Sequence, residues 1–99
     1  AIKVLHDTLK WYAGDQDVSL YLGLAYAFKK DAARAIKELN KSLEWDPDFP
    51  PTHYYLGVQY QTRNPGLAKK HLETFLQLVP SRAGYENLRP RAEKILNKL

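Results

Sequence analysis

The chain has 99 residues and a hydrophobic content of 44%, which is enough for one small core and too little for a second independent one. It contains no Cys, so disulfides, thiol catalysis and Cys-based zinc sites are excluded. The net charge is +4, and five basic residues against two acidic ones from Ser81 onward place most of that charge in the tail. Surface charge of this size keeps a small domain soluble and does not by itself indicate nucleic-acid binding.

The hydrophobic pattern predicts six helices along the chain. They lie near residues 2–11, 17–29, 32–45, 51–63, 65–78 and 90–98. In the second of them, Ser19, Leu22, Gly23 and Tyr26 follow the i, i+3, i+4, i+7 spacing that brings side chains to one helical face. Gly costs about 1 kcal/mol relative to Ala inside a helix, so we expect Gly23 to permit the close approach of a partner helix.

Two motifs each occur twice along the chain, at a nearly constant spacing. A Leu-Gly-x-x-Tyr motif begins at Leu22 and again at Leu56. An Ala-x-x-x-Leu motif, followed by Pro eight residues after the Leu, begins at Ala35 and again at Ala68, so its two copies lie one residue closer together. The missing residue falls in the turn at 64–66, where Asn can cap the next helix and Pro can open it.

This pattern resembles the tetratricopeptide repeat, a helix-turn-helix unit of about 34 residues. The resemblance implies an all-α fold in which antiparallel helix pairs stack as a short right-handed superhelical solenoid. It divides the chain into the second helix of a truncated repeat (1–15), two repeats (16–49 and 50–82) and a C-terminal capping helix (83–99). The repeat register is lost after Pro80, so we expect a short irregular segment there, and then a helix that Pro90 opens.

A second apolar stripe on the first helix of each repeat is the candidate binding surface. In tetratricopeptide arrays these helices line a concave groove, so the resemblance implies an apolar and aromatic groove formed by Leu20, Leu24, Phe28, Tyr54, Val58 and Gln61. Exposed apolar patches usually mark binding sites, although flanking helices or further repeats could instead cover this stripe. One subtype of the family grips acidic C-terminal tails through Lys and Asn, and the apolar residues here do not support that clamp.

The side chains that could perform catalysis or bind metals are interpreted as structural. No two of His6, His53 and His71 have the i, i+4 spacing that places two ligands on one helical face. The Asp pairs within 15–17 and 46–48 lie between predicted helices, where Asp caps helix ends and favours turns. There is no Gly-rich phosphate loop and no Gly-flanked Ser nucleophile. The sequence therefore predicts no enzymatic activity, no metal and no cofactor.

Aromatic residues are numerous, with seven Tyr, three Phe and two Trp, so stacking on single-stranded nucleic acid is one interpretation. Most of these rings fall at packing positions of the repeat, which disfavours that interpretation. Trp11 and Trp45 occupy corresponding places late in the second helices, and we expect both to fill core or inter-repeat space.

The function favoured by the whole pattern is that of a scaffold for non-catalytic recognition of a peptide or partner helix. The alternatives are a regulatory or targeting domain of a larger enzyme and, third, nucleic-acid binding through the basic C-terminal helix. No apolar stretch approaches the roughly 20 residues of a membrane helix, and no signal peptide is visible. We therefore expect a soluble protein, cytoplasmic rather than secreted, and the opening with Ala1 fits a fragment of a longer chain.

Overall fold

A computed structural model describes residues 16–82 and 84–99, and it confirms an all-α fold for them. The helices are α1 (Gln16–Phe28), α2 (Ala32–Trp45), α3 (Pro50–Tyr60), α4 (Pro65–Leu78) and α5 (Arg89–Lys98). Two 3₁₀ turns, Val79–Ser81 and Glu86–Leu88, form the irregular segment expected before α5. Within these ranges there is no strand, and no helix has both the length and the apolar character to cross a bilayer. The helix predicted at 2–11 lies outside the described residues.

The predicted helix boundaries agree with the structure to within one residue, apart from the end of α3. The prediction of 51–63 places that end three residues too late, because α3 ends at Tyr60. A turn follows it, in which the amide of Asn64 donates to the carbonyl of Tyr60 over 2.8 Å. The shortened connection forces this tight turn, since Asn64 must already act as the cap of α4.

The chain divides into two compact units. One ends at Phe49 and the other begins at Pro50, so each contains one of the two predicted repeats. In the first unit α1 packs against α2, and in the second α4 packs against both α3 and α5.

The first unit is organised around the contact between Gly23 and α2. A Cβ atom added to Gly23 would lie 2.7 Å from Leu39 Cγ and 3.2 Å from the carbonyl oxygen of Ala35, so no larger residue fits without movement. Leu39 and Ala35 are fully buried. Buried Ser42 adds a polar tie between the helices, because its Oγ donates to the carbonyl of Gln16 over 2.9 Å. The expected close approach at Gly23 is thereby confirmed.

The turn between α1 and α2 holds Lys30 in the left-handed region, at φ 61°. The Lys30 amide donates to the carbonyl of Ala27 and the Asp31 amide to that of Tyr26, both over 2.9 Å, which satisfies carbonyls at the end of α1. The Asp31 side chain then caps α2, accepting from the Arg34 amide over 3.2 Å.

The second unit repeats the same glycine contact. A Cβ added to Gly57 would lie 2.5 Å from Leu72 Cγ. Asn64 caps α4 as predicted, its Oδ1 accepting from the Leu67 amide over 3.2 Å. The core of this unit consists of buried residues from α3, α4, the first 3₁₀ turn and α5, namely Tyr54, Leu72, Phe75, Val79 and Ala92.

The terminal helix α5 covers this core with one face. Ala92 is fully buried, and Ile95 and Leu96 are half-buried against the core. Leu99 follows the last helical residue and is 43% exposed.

Replacing Gly23 by Ala should destabilise the protein, even though Ala is the better helix former. The new methyl group would displace Leu39, and overpacking of this kind costs about 1 to 3 kcal/mol. Gly66→Ala is the matched control, because the nearest neighbour of the new methyl group would be Asn64 Oδ1 at 3.5 Å. At this position the higher helix propensity of Ala should dominate and stabilise α4 by up to about 1 kcal/mol. Thermal unfolding measures both variants, and a raised midpoint for Gly23→Ala would contradict the packing described.

Replacing Lys30 by Gly should stabilise the protein by up to about 1 kcal/mol. A left-handed conformation costs a residue with a Cβ about 1 to 2 kcal/mol, and the greater freedom of Gly in the unfolded chain offsets part of the gain. Lys29→Gly removes the same charge one residue earlier, at a residue without positive φ, and should destabilise. Urea unfolding compares the two, and equal effects would show that charge rather than backbone conformation matters.

Candidate functional site

The groove residues predicted on α1 differ widely in exposure. Leu20 is buried, with 6% of its surface exposed, and Leu24 is half-buried. Phe28, the last residue of α1, is 86% exposed. Of the three, Phe28 is therefore the side chain most available to a partner.

The groove residues predicted on α3 contribute to the core of the second unit. The ring of Tyr54 is 6% exposed and lies 5.5 Å from that of Phe75, centroid to centroid. Val58 packs against the same core. Gln61 lies just beyond α3, half-buried in the turn. The structure thus places Tyr54 in the interior of its helix bundle rather than on an open face.

An exposed aromatic face on α1 includes one residue that the sequence prediction omitted. Tyr21 is 56% exposed and lies seven residues, or two helical turns, before Phe28. Leu24 lies between them on the same face. We call Tyr21, Leu24 and Phe28 the α1 outer face. The i, i+3, i+7 spacing could have revealed it, but Tyr21 lies beside the predicted stripe that starts at Leu20.

Two lysines flank the α1 outer face at its carboxyl end. Lys29 and Lys30 are exposed directly after Phe28, and neither forms an ion pair within the described residues. Arg34, by contrast, pairs with Asp31 at 3.6 Å and lies 5.9 Å from the centre of the Tyr26 ring. The apolar face therefore ends in a region of positive charge.

Trp45 was expected to fill core or inter-repeat space, and that expectation is wrong. It is the last residue of α2 and is 61% exposed. A residue at the end of a helix has fewer packing neighbours than one in its middle. The corresponding positions of Trp11 and Trp45 in the repeat therefore did not imply that Trp45 is buried. Trp11 itself lies outside the described residues.

The basic C-terminal helix is partly engaged in structure. Burial raises the pKa of Tyr54 above its ordinary value, and the nearby positive charge of Arg91 offsets part of the rise. Arg91, Lys94 and Lys98 are exposed.

The structure brings together two histidines that the sequence showed only as separate residues. Nδ1 of His53, on α3, lies 3.0 Å from Nδ1 of His71, on α4. His53 is buried, His71 is half-buried, and the ring of Tyr60 stacks on His71 with centroids 5.9 Å apart and an angle of 8°. Burial, followed by the electrostatic influence of His53 and then of Lys70, lowers the pKa of His71 to about 4.

The repeat register relates the pair to two residues of the first repeat. His53 and His71 correspond to Ser19 and Glu38, which are both buried. Sequence spacing within one helix could not detect the pair, because its members lie 18 residues apart on different helices.

The Asp pair within 46–48 has the structural role predicted for it, whereas Asp15 of the other pair lies outside the described residues. Asp46 Oδ1 accepts from the Asp48 amide over 3.2 Å, which stabilises the turn after α2. Across residues 16–82 and 84–99, no group of three or more His, Cys, Asp or Glu side chains could hold a metal ion.

The comparisons with known proteins identify no family. No protein-family model matches the sequence, and a search of curated proteins finds no match. The resemblance to the tetratricopeptide repeat therefore depends on the motifs and on the helix pairs.

Because Tyr54 is buried and Phe28 is exposed, replacing them by Ala should change the stability by very different amounts. Tyr54→Ala should cost about 3 kcal/mol, because it leaves a cavity beside Phe75. Phe28→Ala should change the unfolding free energy by no more than about 0.5 kcal/mol, as is usual for exposed positions. Chemical denaturation measures both, and similar losses for the two variants would contradict these assignments.

Proposed function

We propose that the chain is a tetratricopeptide-like scaffold module that binds a peptide or partner helix without catalysis. Two successive helix pairs, each with a glycine against a leucine of its partner helix, support this proposal. The stacking of the pairs into a right-handed solenoid is part of the proposal. Such modules present preformed apolar surfaces to their partners.

The observation that carries the proposal is the exposure of Phe28 and Tyr21 on one face of α1. Large aromatic rings bury much apolar area when a partner docks, and Tyr and Trp are enriched among the residues that dominate binding energy. Their spacing over two helical turns forms a stripe rather than an isolated ring. The binding surface of the proposal is therefore the α1 outer face, not the full set of six predicted groove residues.

Comparison with the second unit favours a helix as the partner that binds the α1 outer face. In the second repeat, Tyr55 and Val58 correspond to Tyr21 and Leu24. Both are half-buried against the core to which α5 contributes Ala92. A short amphipathic helix is thus a segment of the right kind to cover such a face.

Nucleic-acid binding through α5 receives less support. Phosphate contacts require free cationic groups, and the charge of Arg91 already acts on Tyr54, whose pKa it lowers. The remaining possibility, a regulatory or targeting domain of a larger enzyme, is compatible with the same surface.

A displayed peptide library tests the proposal. Peptides selected on the immobilised protein should have an apolar or aromatic anchor, and Phe28→Ala should weaken their binding at least tenfold, which corresponds to about 1.4 kcal/mol. Trp45→Ala is the matched control, since it removes a similarly accessible ring at the opposite end of the helix pair and should change affinity less than twofold.

Fluorescence anisotropy with labelled peptides measures these affinities, and circular dichroism verifies that each variant is folded. The proposal fails if no peptide is selected, or if Phe28→Ala and Trp45→Ala bind equally well. Binding that is retained by Phe28→Ala and lost in α5 variants would instead place the surface on the terminal helix.

A further inference from the structure

The two imidazole rings of His53 and His71 point directly at each other. Their Nδ1 atoms are 3.0 Å apart and their ring centres 5.2 Å apart. The difference between these two distances is close to the sum of the two ring radii. Both Nδ1 atoms therefore lie near the line that joins the ring centres. This is the geometry of a hydrogen bond between two nitrogens.

Such a bond requires one proton between the two nitrogens. A neutral imidazole carries a hydrogen on one of its nitrogens only, so one ring donates from Nδ1 and the other accepts with a bare Nδ1. A proton added to the accepting nitrogen leaves two N–H groups facing each other at 3.0 Å. The contact then changes from attractive to repulsive.

A shared metal ion fits this geometry poorly. On the line between the nitrogens an ion would lie about 1.5 Å from each, whereas zinc–nitrogen bonds are about 2.0 Å long. The described residues also offer no third ligand beside the pair. The pair is suited to holding a proton rather than a metal.

The surroundings oppose a positive charge on His71. Tyr60, from α3, covers one face of the ring, and burial removes water from it. The ionisable groups that act on His71 are His53 on α3 and Lys70 on α4, and both lower its pKa. All three influences favour the neutral ring.

We propose that the His53–His71 pair is a proton switch: with a single shared proton it ties α3 to α4, and further protonation breaks this tie and loosens the second unit. The switch acts at the contact that holds the helix pair together, between the same two helices as the packing of Gly57 against Leu72.

The direction of the pH effect follows from the proton balance. His71 has a pKa of about 4 in the folded chain and the ordinary value of 6.5 when unfolded. Between these values the unfolded chain binds more protons, so acidification favours unfolding. The stabilisation is complete above pH 6.5 and is lost as the pH falls through 4, with the folding equilibrium constant decreasing by up to tenfold per pH unit.

Urea unfolding of the wild type and of His71→Gln between pH 7.5 and pH 4 tests the switch. Gln can donate and accept hydrogen bonds but does not titrate. Between pH 7.5 and pH 4, the factor by which the folding equilibrium constant decreases should therefore be at least ten times smaller for the variant than for the wild type. Lys69→Gln, which removes an exposed charge from the same helix, is the matched control and should keep the wild-type pH dependence. Parallel curves for the wild type and His71→Gln would overturn the proposal.

Nitrogen NMR of the histidine rings tests the switch even if His71→Gln fails to fold. In the wild type one Nδ1 of the pair should carry a proton, and His71 should remain neutral at pH 5.5. A ring of His71 that is protonated at pH 5.5 would overturn the proposal. So would stoichiometric binding of Zn²⁺ that abolishes the N–H signal, because the site would then be a metal site.

Discussion

The close approach of two helices at a glycine is the constraint on which both units depend. Gly23 and Gly57 each face a fully buried leucine of the partner helix, with no space for a Cβ. This contact fixes the rotation of each helix about its axis and therefore determines which of its residues become core and which reach solvent. In the first unit it is this rotation that turns Leu22 inward and leaves Tyr21 and Phe28 outside.

Different interior residues fill the two units. Ser42 and Phe75 occupy corresponding positions, and both are fully buried. Ser42 donates its hydroxyl to the Gln16 carbonyl, whereas Phe75 fills a larger core that includes residues of α5. The second unit therefore obtains its stability from apolar burial. Polar groups also lie inside it, and in the histidine pair the two Nδ1 atoms are within hydrogen-bond distance of each other.

The parts of the fold that the sequence predicted are those that depend on local sequence patterns. Helix boundaries and the glycine contacts follow from periodicity and capping, which act within one repeat; Asn64 and Pro65 are an example. The burial of Tyr54 could not be predicted in this way, because it depends on α5, which lies outside the repeat register. The His53–His71 contact was missed for a similar reason, since single-helix spacing ignores the partner helix. At the candidate site, exposure at Phe28 had to be read from the structure.

The comparison of corresponding faces shows why the α1 outer face is open. Tyr55 and Val58 of the second repeat are apolar for a reason visible within their own unit, since they pack against a core completed by α5. Tyr21 and Leu24 have the same chemistry at the corresponding positions, yet Tyr21 remains more than half exposed. Exposed apolar patches usually mark interaction sites. In the proposed module, a partner helix that took the part of α5 would bury Tyr21 and Phe28, which are exposed among the described residues of the first unit.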